Sequence, residues 1–360
     1  VVAGAVTSHS KDWNLAREAL LSTSLSPLTP GITLQQACGT SLQAALMIGA
    51  KIASGHIECG IAAGSDTTSD PPITFGRKFS QRLVKAGAAR NAKQRFRAFK
   101  GFRPAELKPV LPANGEPRTG LSMGQHCERM AREWQISRQD QDRLAMESHQ
   151  KASEAYDAGF FDPLVTPWAG AARDNNIRGD SDMEKLGSLR TVFSRGDDAT
   201  LTAGNSTPLT DGAAAVLLAS EDWARARGLP IQAYLTAGRT SAVDFVNDEG
   251  LLMAPTVAVA EMLQRTGLSL QDFDFYEIHE AFAAQVLCTL AAWESEAYCR
   301  GRLGLDEALG TIDRHKLNVK GSSLAVGHPF AATGARIIGT LAQILESAGS
   351  GRGLISVCTA

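Results

Sequence analysis

Apolar and polar positions divide this chain into three regimes. Residues 1–70 and those after about 208 carry short apolar runs separated by small residues, whereas 71–207 is polar, with apolar positions at helical spacing. The opening "VVAGAV" reads as a buried strand. After the loop "QQACGTS", the apolar positions of 42–54 predict a helix of about four turns, Gly55 a stop, and "CGIAAGSD" a strand. The order recurs near the other end: the loop "SSLAVGHPF", a helix over 332–347, a Gly-rich turn and the strand-like "GLISVCTA". Such units build α/β layers, and their recurrence predicts a duplicated architecture.

In the polar stretch, Ser137 and Asp140 fit a capping box before "DQDRLAMESHQKASEAY". Met123, Cys127, Met130 and Trp134 recur at helical spacing and read as a packing stripe. "AAAVLLAS", which follows the small polar loop "TAGNSTPLTDG", predicts a buried strand returning to the first layers, so the middle of the chain reads as an insertion.

Composition narrows the class. The 360 residues are 44% hydrophobic and 21% charged, which suits a soluble globular chain. A net charge of -2 provides no field for nucleic acid. No apolar run reaches the ~18 residues of a membrane-crossing helix. "VVAGAV" lacks the basic flank of a signal peptide, and both ends read as cut. None of the six cysteines forms a CxxC pair, which argues against zinc and thioredoxin-like redox chemistry and for a reducing compartment. Segment 77–118 holds twelve Lys or Arg against Glu106 and Glu116. It is either a solvated face or a surface for phosphates, an acidic partner or a membrane.

Four residues carry candidate chemistry. Cys38 lies just before a helix, where free N–H groups and the macrodipole favour a thiolate and lower the thiol pKa; otherwise it is a small buried hydrophobe. Cys358 ends a strand of the second half, where ligands meet open α/β layers. His328, bracketed by Gly327 and Pro329, suits proton transfer. His279 follows the strand "FYEI" beside Glu280. A metal there would want a second ligand at helical spacing, and Ala283 is none, so a hydrogen-bonding role is preferred.

The turn of Cys38, "TAGNSTPLTDGAAA", "HEAF", "GHPFAATGAR" and "VCTA", in this order and over nearly the whole chain, resemble the thiolase family. His279, where many thiolases have Asn, resembles the degradative 3-ketoacyl-CoA thiolases of the trifunctional β-oxidation complex, the β-subunit type. "DNNIRG" and "TGLSMG" fit that group. The resemblance implies an α/β thiolase fold of two similar βαβαβαββ halves, a layered α/β/α/β/α core with an inserted loop domain. On that basis 1–70 and 208–230 form an N-terminal half truncated at its start, 71–207 the loop domain for CoA binding and oligomer contacts, and 231–360 a C-terminal half truncated at its end.

The resemblance also implies the chemistry. A 3-ketoacyl-CoA is cleaved by CoA through an acyl-Cys38 intermediate. His328 takes the Cys38 proton and also suits the enolate oxygen, with His279 helping there directly or through a water; Cys358 protonates the enolate and later deprotonates CoA. Backbone N–H groups of Cys38 and Ala360 hold the acyl oxyanion. Met123, Ser122, Arg178 and Thr207 line the CoA path. No metal or permanent cofactor is implied; coenzyme A and acyl-CoA are substrates. The implied assembly is a homodimer or dimer of dimers, with a hydratase/dehydrogenase α-subunit and a peripheral membrane contact as further partners. The compartment is a bacterial-type cytoplasm, with a mitochondrial one left open. The alternative activity is an acetoacetyl-CoA thiolase working towards condensation. A ketoacyl synthase, a cysteine hydrolase or a non-catalytic acyl-CoA carrier accounts less well for two cysteines beside two histidines.

Overall fold

The computed structural model describes residues 1–9 and 13–358. Strands β1 (Val2–Gly4), β2 (Ile32–Thr33), β3 (Cys59–Asp66) and β6 (Gly212–Ala219) form one sheet in the order β2-β1-β3-β6. The first three are parallel; β6 runs antiparallel to β3, from Cys59 opposite Ala219 to Asp66 opposite Gly212. The chain therefore leaves the sheet at Asp66 and re-enters it beside the same residue at Gly212.

β6 is a strand as expected, but its positions alternate between half-buried and exposed, with Leu217 55% exposed. The reason is topological: it is an edge strand, paired on one side only. Strands β7 (Phe275–Ile278) and β8 (Gly353–Ser356) form a separate parallel pair.

Two helices separate the sheets. The Thr40–Ala53 helix buries Ser41, Ala44, Ala45 and Ile48, spaced to lie on one face. The Thr333–Ala348 helix buries Ala335, Ile337, Leu341 and Ile344 and touches β3 and β6 as well as β7 and β8. Gly349, at φ 75, ends it in the left-handed region that glycine favours. The two helices meet at Gly334, where a Cβ would lie 2.4 Å from the Leu42 backbone nitrogen. Any larger residue would push apart the segments that carry Cys38 and His328.

The excursion between β3 and β6 has two parts. Strands β4 (Thr74–Phe75) and β5 (Pro109–Val110) close a small unit around the helices Arg77–Gly87 and Ala92–Ala98. Its core is aromatic, with Phe79 against Phe75, Phe99 and Phe102, and Arg82 pairs with Glu106 at 2.6 Å. Beyond it, the Met123–Glu133 helix starts in a capping box of Ser122 and Gln125, and Ser137 caps the Arg138–Asp157 helix. Both pack against the Ala283–Glu294 helix. The Met123, Cys127, Met130 and Trp134 stripe is packing, as its spacing implied: it joins the cluster that holds Phe282, Cys288 and Cys358.

Candidate active site

Three loops converge between the sheets. The first carries Cys38, with Gly39 as the cap of the Thr40–Ala53 helix. Ala37 before it has φ 42, a conformation that costs a residue other than glycine of order 1 kcal/mol. Thr40 holds the turn, its hydroxyl donating to the Ala37 carbonyl at 2.7 Å and accepting from the Gln36 N–H at 2.9 Å. The Cys38 side chain is left half-buried.

The second loop carries His328. Its N–H donates to the Pro208 carbonyl, and its carbonyl accepts from the Thr210 N–H, so "TAGNSTPLTDG" clamps it. Gly327, at φ 90, lies against Thr210, where a Cβ would come within 2.5 Å of the methyl group. Asp66 ties the loop to the first sheet by accepting from the N–H groups of Ala331, Val6 and Thr7. Ser41 accepts from the Ala335 N–H at 2.8 Å. The result is His328 Nε2 at 3.0 Å from Cys38 Sγ, with Nδ1 at 2.6 Å from the Thr333 hydroxyl.

The third loop begins where β7 ends. The His279 N–H donates to the Ser356 carbonyl, and its ring lies 4.3 Å from that of His328, centroid to centroid. Nδ1 is 2.7 Å from the Ser323 hydroxyl, whereas Nε2 is buried and lacks a partner among the described residues. Glu280 accepts from Ser148, the Leu324 N–H and the Asn318 amide, so the acid of "HEAF" fastens its loop to the one that carries Ser323.

Cys358 is fully buried, two residues beyond β8 and so past the strand end that the pattern suggested. Cys38 contributes to the upward push on its thiol, so the two sulfurs are within electrostatic reach. Ala360 lies outside the described residues.

The protonation states differ from one expectation. Burial pushes the Cys38 thiol up to about 12, with only partial relief from its own backbone N–H. Desolvation, with a smaller push from Asp66, raises the thiol, where its place before a helix alone predicts a lowering. Burial, and then the Arg336 charge, hold His328 down at about 3; burial and the His328 ring hold His279 well below the usual imidazole value. At rest Cys38 and His328 are therefore a neutral thiol and a neutral imidazole. Burial also raises Cys358 well above the ordinary thiol value.

Of the residues expected along a CoA path, Thr207 is adjacent to the site: its hydroxyl donates to the Ser323 carbonyl at 2.6 Å and its N–H to the Ala281 carbonyl. Met123 packs against the cluster of Cys358 and Phe282. Ser122 spends its hydroxyl on the helix cap. Arg178 is exposed, its guanidinium turned onto the Asn175 and Ile177 carbonyls.

Ligand atoms of Cys38, His279 and His328 lie within 4.8 Å of one another, a spacing compatible with a metal. Helical spacing after His279 offers no second ligand, but the fold brings Cys38 and His328 beside it from two other loops. The sequence pattern does not single out Asp66, Ser323, Asn318 and Arg336. Each is an ordinary polar residue in the sequence; Asp66, Asn318 and Ser323 find partners 265, 38 and 44 positions away, and Arg336 turns inward to Ser323, 13 positions before it.

Residues 1–222 match the thiolase N-terminal domain and residues 229–360 the thiolase C-terminal domain. The chain is 42% identical to the 3-ketoacyl-CoA thiolase of Yersinia pestis (strain Pestoides F), over all of this chain and 83% of that protein. The crystal structure of human mitochondrial 3-ketoacyl-CoA thiolase in complex with CoA superposes with a TM-score of 0.79 at 27% identity, covering 99% of this chain and 82% of that one. The acetyl-CoA acetyltransferase of Bacillus anthracis gives 0.78 at 28% identity, covering 100% and 83%.

Proposed function

The chain belongs to the thiolase family, and from that premise we propose that it cleaves 3-ketoacyl-CoA with free CoA, yielding acetyl-CoA and an acyl-CoA two carbons shorter. The observation that carries the reading is the 3.0 Å contact between Cys38 Sγ and His328 Nε2.

His328 Nε2 takes the Cys38 proton as the sulfur attacks the 3-keto carbon. A free thiolate–imidazolium pair is disfavoured by the raised thiol and the lowered imidazole, so proton transfer accompanies carbon–sulfur bond formation. The C2–C3 bond then breaks, its electron pair passing into the enolate of acetyl-CoA, and the C3 oxygen re-forms a carbonyl as acyl-Cys38. Cys358 gives its proton to C2. In the second half-reaction the Cys358 thiolate takes the proton of incoming CoA, whose sulfur displaces Cys38; the expelled thiolate recovers its proton from His328. The enolate oxygen needs a donor aimed at it, and buried His279 Nε2 suits that place. The backbone N–H groups of Cys38 and Ala360 are assigned to the acyl oxyanion.

In the same reading Met123 and Thr207 flank the pantetheine arm, Ser122 shapes its entrance through the cap, and Arg178 meets the nucleotide end. Six free cysteines support a reducing compartment such as a bacterial cytoplasm. The working form is a homodimer or a dimer of dimers. The basic segment 77–118 is the contact for a companion subunit, supported by Val84 and Phe96, 71% and 81% exposed among its cations.

CoA-dependent thiolysis over a ladder of 3-ketoacyl-CoA lengths tests the activity. Acetyl-CoA release from long-chain substrates is expected, and turnover of acetoacetyl-CoA alone points to the shorter specificity.

A further inference from the structure

The two imidazoles have similar surroundings but different backing. Each places Nδ1 against a hydroxyl, Thr333 for His328 and Ser323 for His279. Behind Ser323 stands a cation: Arg336 Nη2 donates to the Ser323 hydroxyl at 2.7 Å. A guanidinium can only donate, so one lone pair of Ser323 Oγ is committed to it. Ser323 and His279 are fully buried. If His279 donated from Nδ1 as well, the serine proton would have no acceptor there, an unfavourable state for a buried hydroxyl. With the serine proton directed to Nδ1, the serine hydroxyl and Nδ1 are both paired, and the histidine proton sits on Nε2, which has no partner among the described residues. Arg336 polarises the serine hydroxyl in the same direction. For His328 the logic is reversed. Nε2 must accept from the Cys38 thiol, so its proton lies on Nδ1 and is donated to Thr333.

We propose that Ser323 and Arg336 are positioning residues that lock His279 as the Nε2–H tautomer, a pure donor into the pocket, while His328 holds the opposite tautomer as a pure acceptor. The orphaned Nε2–H of His279 is then aimed at an oxygen of the substrate, and the thiolysis reading, on which this one step rests, identifies it as the enolate oxygen. The lock also counters metal capture. Nδ1 of His279 is taken by Ser323, and Nε2 would have to lose its proton before it could join Cys38 and His328 around an ion.

The test is a long-range proton–nitrogen spectrum of the full chain labelled with 15N-histidine, recorded at neutral pH without substrate, with His279→Gln and His328→Gln assigning two of the seven histidines. The expected result is His279 protonated on Nε2 and bare on Nδ1, and His328 the reverse. A proton on Nδ1 of His279, or averaging between its two nitrogens, overturns the proposal. Ser323→Ala should convert the His279 pattern to tautomer exchange and lower kcat by about 10²-fold, the loss expected when an oxyanion donor is no longer held in place, with KM changed far less. Parent-like tautomers and kcat in that variant also overturn the proposal. If the variant does not fold, the parent spectrum still decides. A failed spectrum removes the lock and leaves thiolysis standing, whereas predicted tautomers in a chain without thiolysis remove the activity reading and leave the lock.

Discussion

The two halves contribute to the site in contrasting ways. The first offers one reactive atom, the sulfur of half-buried Cys38, on a turn strained at Ala37 and capped by glycine. The second offers His279, His328 and Cys358, all buried. Residue 38 keeps part of its surface open, which lets a substrate reach the turn, while its thiol is desolvated enough to stay protonated. Burial of the imidazoles keeps them neutral, one able to accept a proton and the other to donate a hydrogen bond. The contrast teaches that the attacking atom and the groups that move its proton need different surroundings, and that the join between the halves must hold the 3.0 Å contact of Cys38 with His328. Gly334, Ser41 and Asp66 provide that join.

Removing the single contribution of the first half should have the largest effect. Cys38→Ser is expected to lower thiolysis by at least ~10³-fold, since a nucleophile acts as a unit with its base, and to leave the unfolding midpoint close to the parent's. A serine variant retaining a tenth of the activity would dissolve the contrast. His328→Gln should cost about 10²- to 10⁴-fold, the usual worth of a positioned base. Because the folded-state value of His328 is about 3, the base stays neutral down to that pH, and parent kcat should show no inflection near 6.5 as the pH falls from 8 to 5. An inflection there that disappears in His328→Gln would mean the imidazole is far wetter than its burial indicates.

The join itself is tested by Gly334→Ala. A Cβ 2.4 Å from the Leu42 nitrogen must displace backbone, and overpacking of this kind costs about 1–3 kcal/mol. Urea unfolding should show the loss, accompanied by slower thiolysis as Cys38 and His328 separate. Equal stability and rate would show that the helices slide freely. The smallest effect concerns Glu277, whose buried carboxyl is pushed up to about 8 by desolvation, against the pull of Arg336. A raised folded-state value means that its contribution is complete below the ordinary carboxylate range and is lost as pH rises through about 8. Glu277→Gln removes that slope, so from pH 6 to 9 the variant should lose less stability than the parent, by at most about 1.4 kcal/mol per pH unit. Parallel curves would place the carboxylate in contact with water.

Much of this was legible in the chain. The pattern places the two central helices at 42–54 and 332–347, and they lie at Thr40–Ala53 and Thr333–Ala348. Cys38, His279 and His328 stand out because glycine, proline or a strand end brackets them. Arg336 does not, because a cation in an amphipathic helix reads as solvent-facing; here it turns inward to Ser323. Asp66 reads as the last residue of a strand, yet its partner Ala331 is 265 positions away. The sign of the Cys38 shift is not legible, because periodicity reports where a helix begins, whereas the depth of the covering layers decides the desolvation. Edge position hides similarly, since β6 looks like any apolar strand until its single neighbour is known.

The most direct measurement is mass spectrometry of the full chain quenched after mixing with a long-chain 3-ketoacyl-CoA in the absence of free CoA. The account predicts an acyl group two carbons shorter than the substrate's on the Cys38 peptide, released when CoA is added. Acyl transfer to Cys358 instead, or thiolysis with Cys38 unmodified throughout, would contradict it.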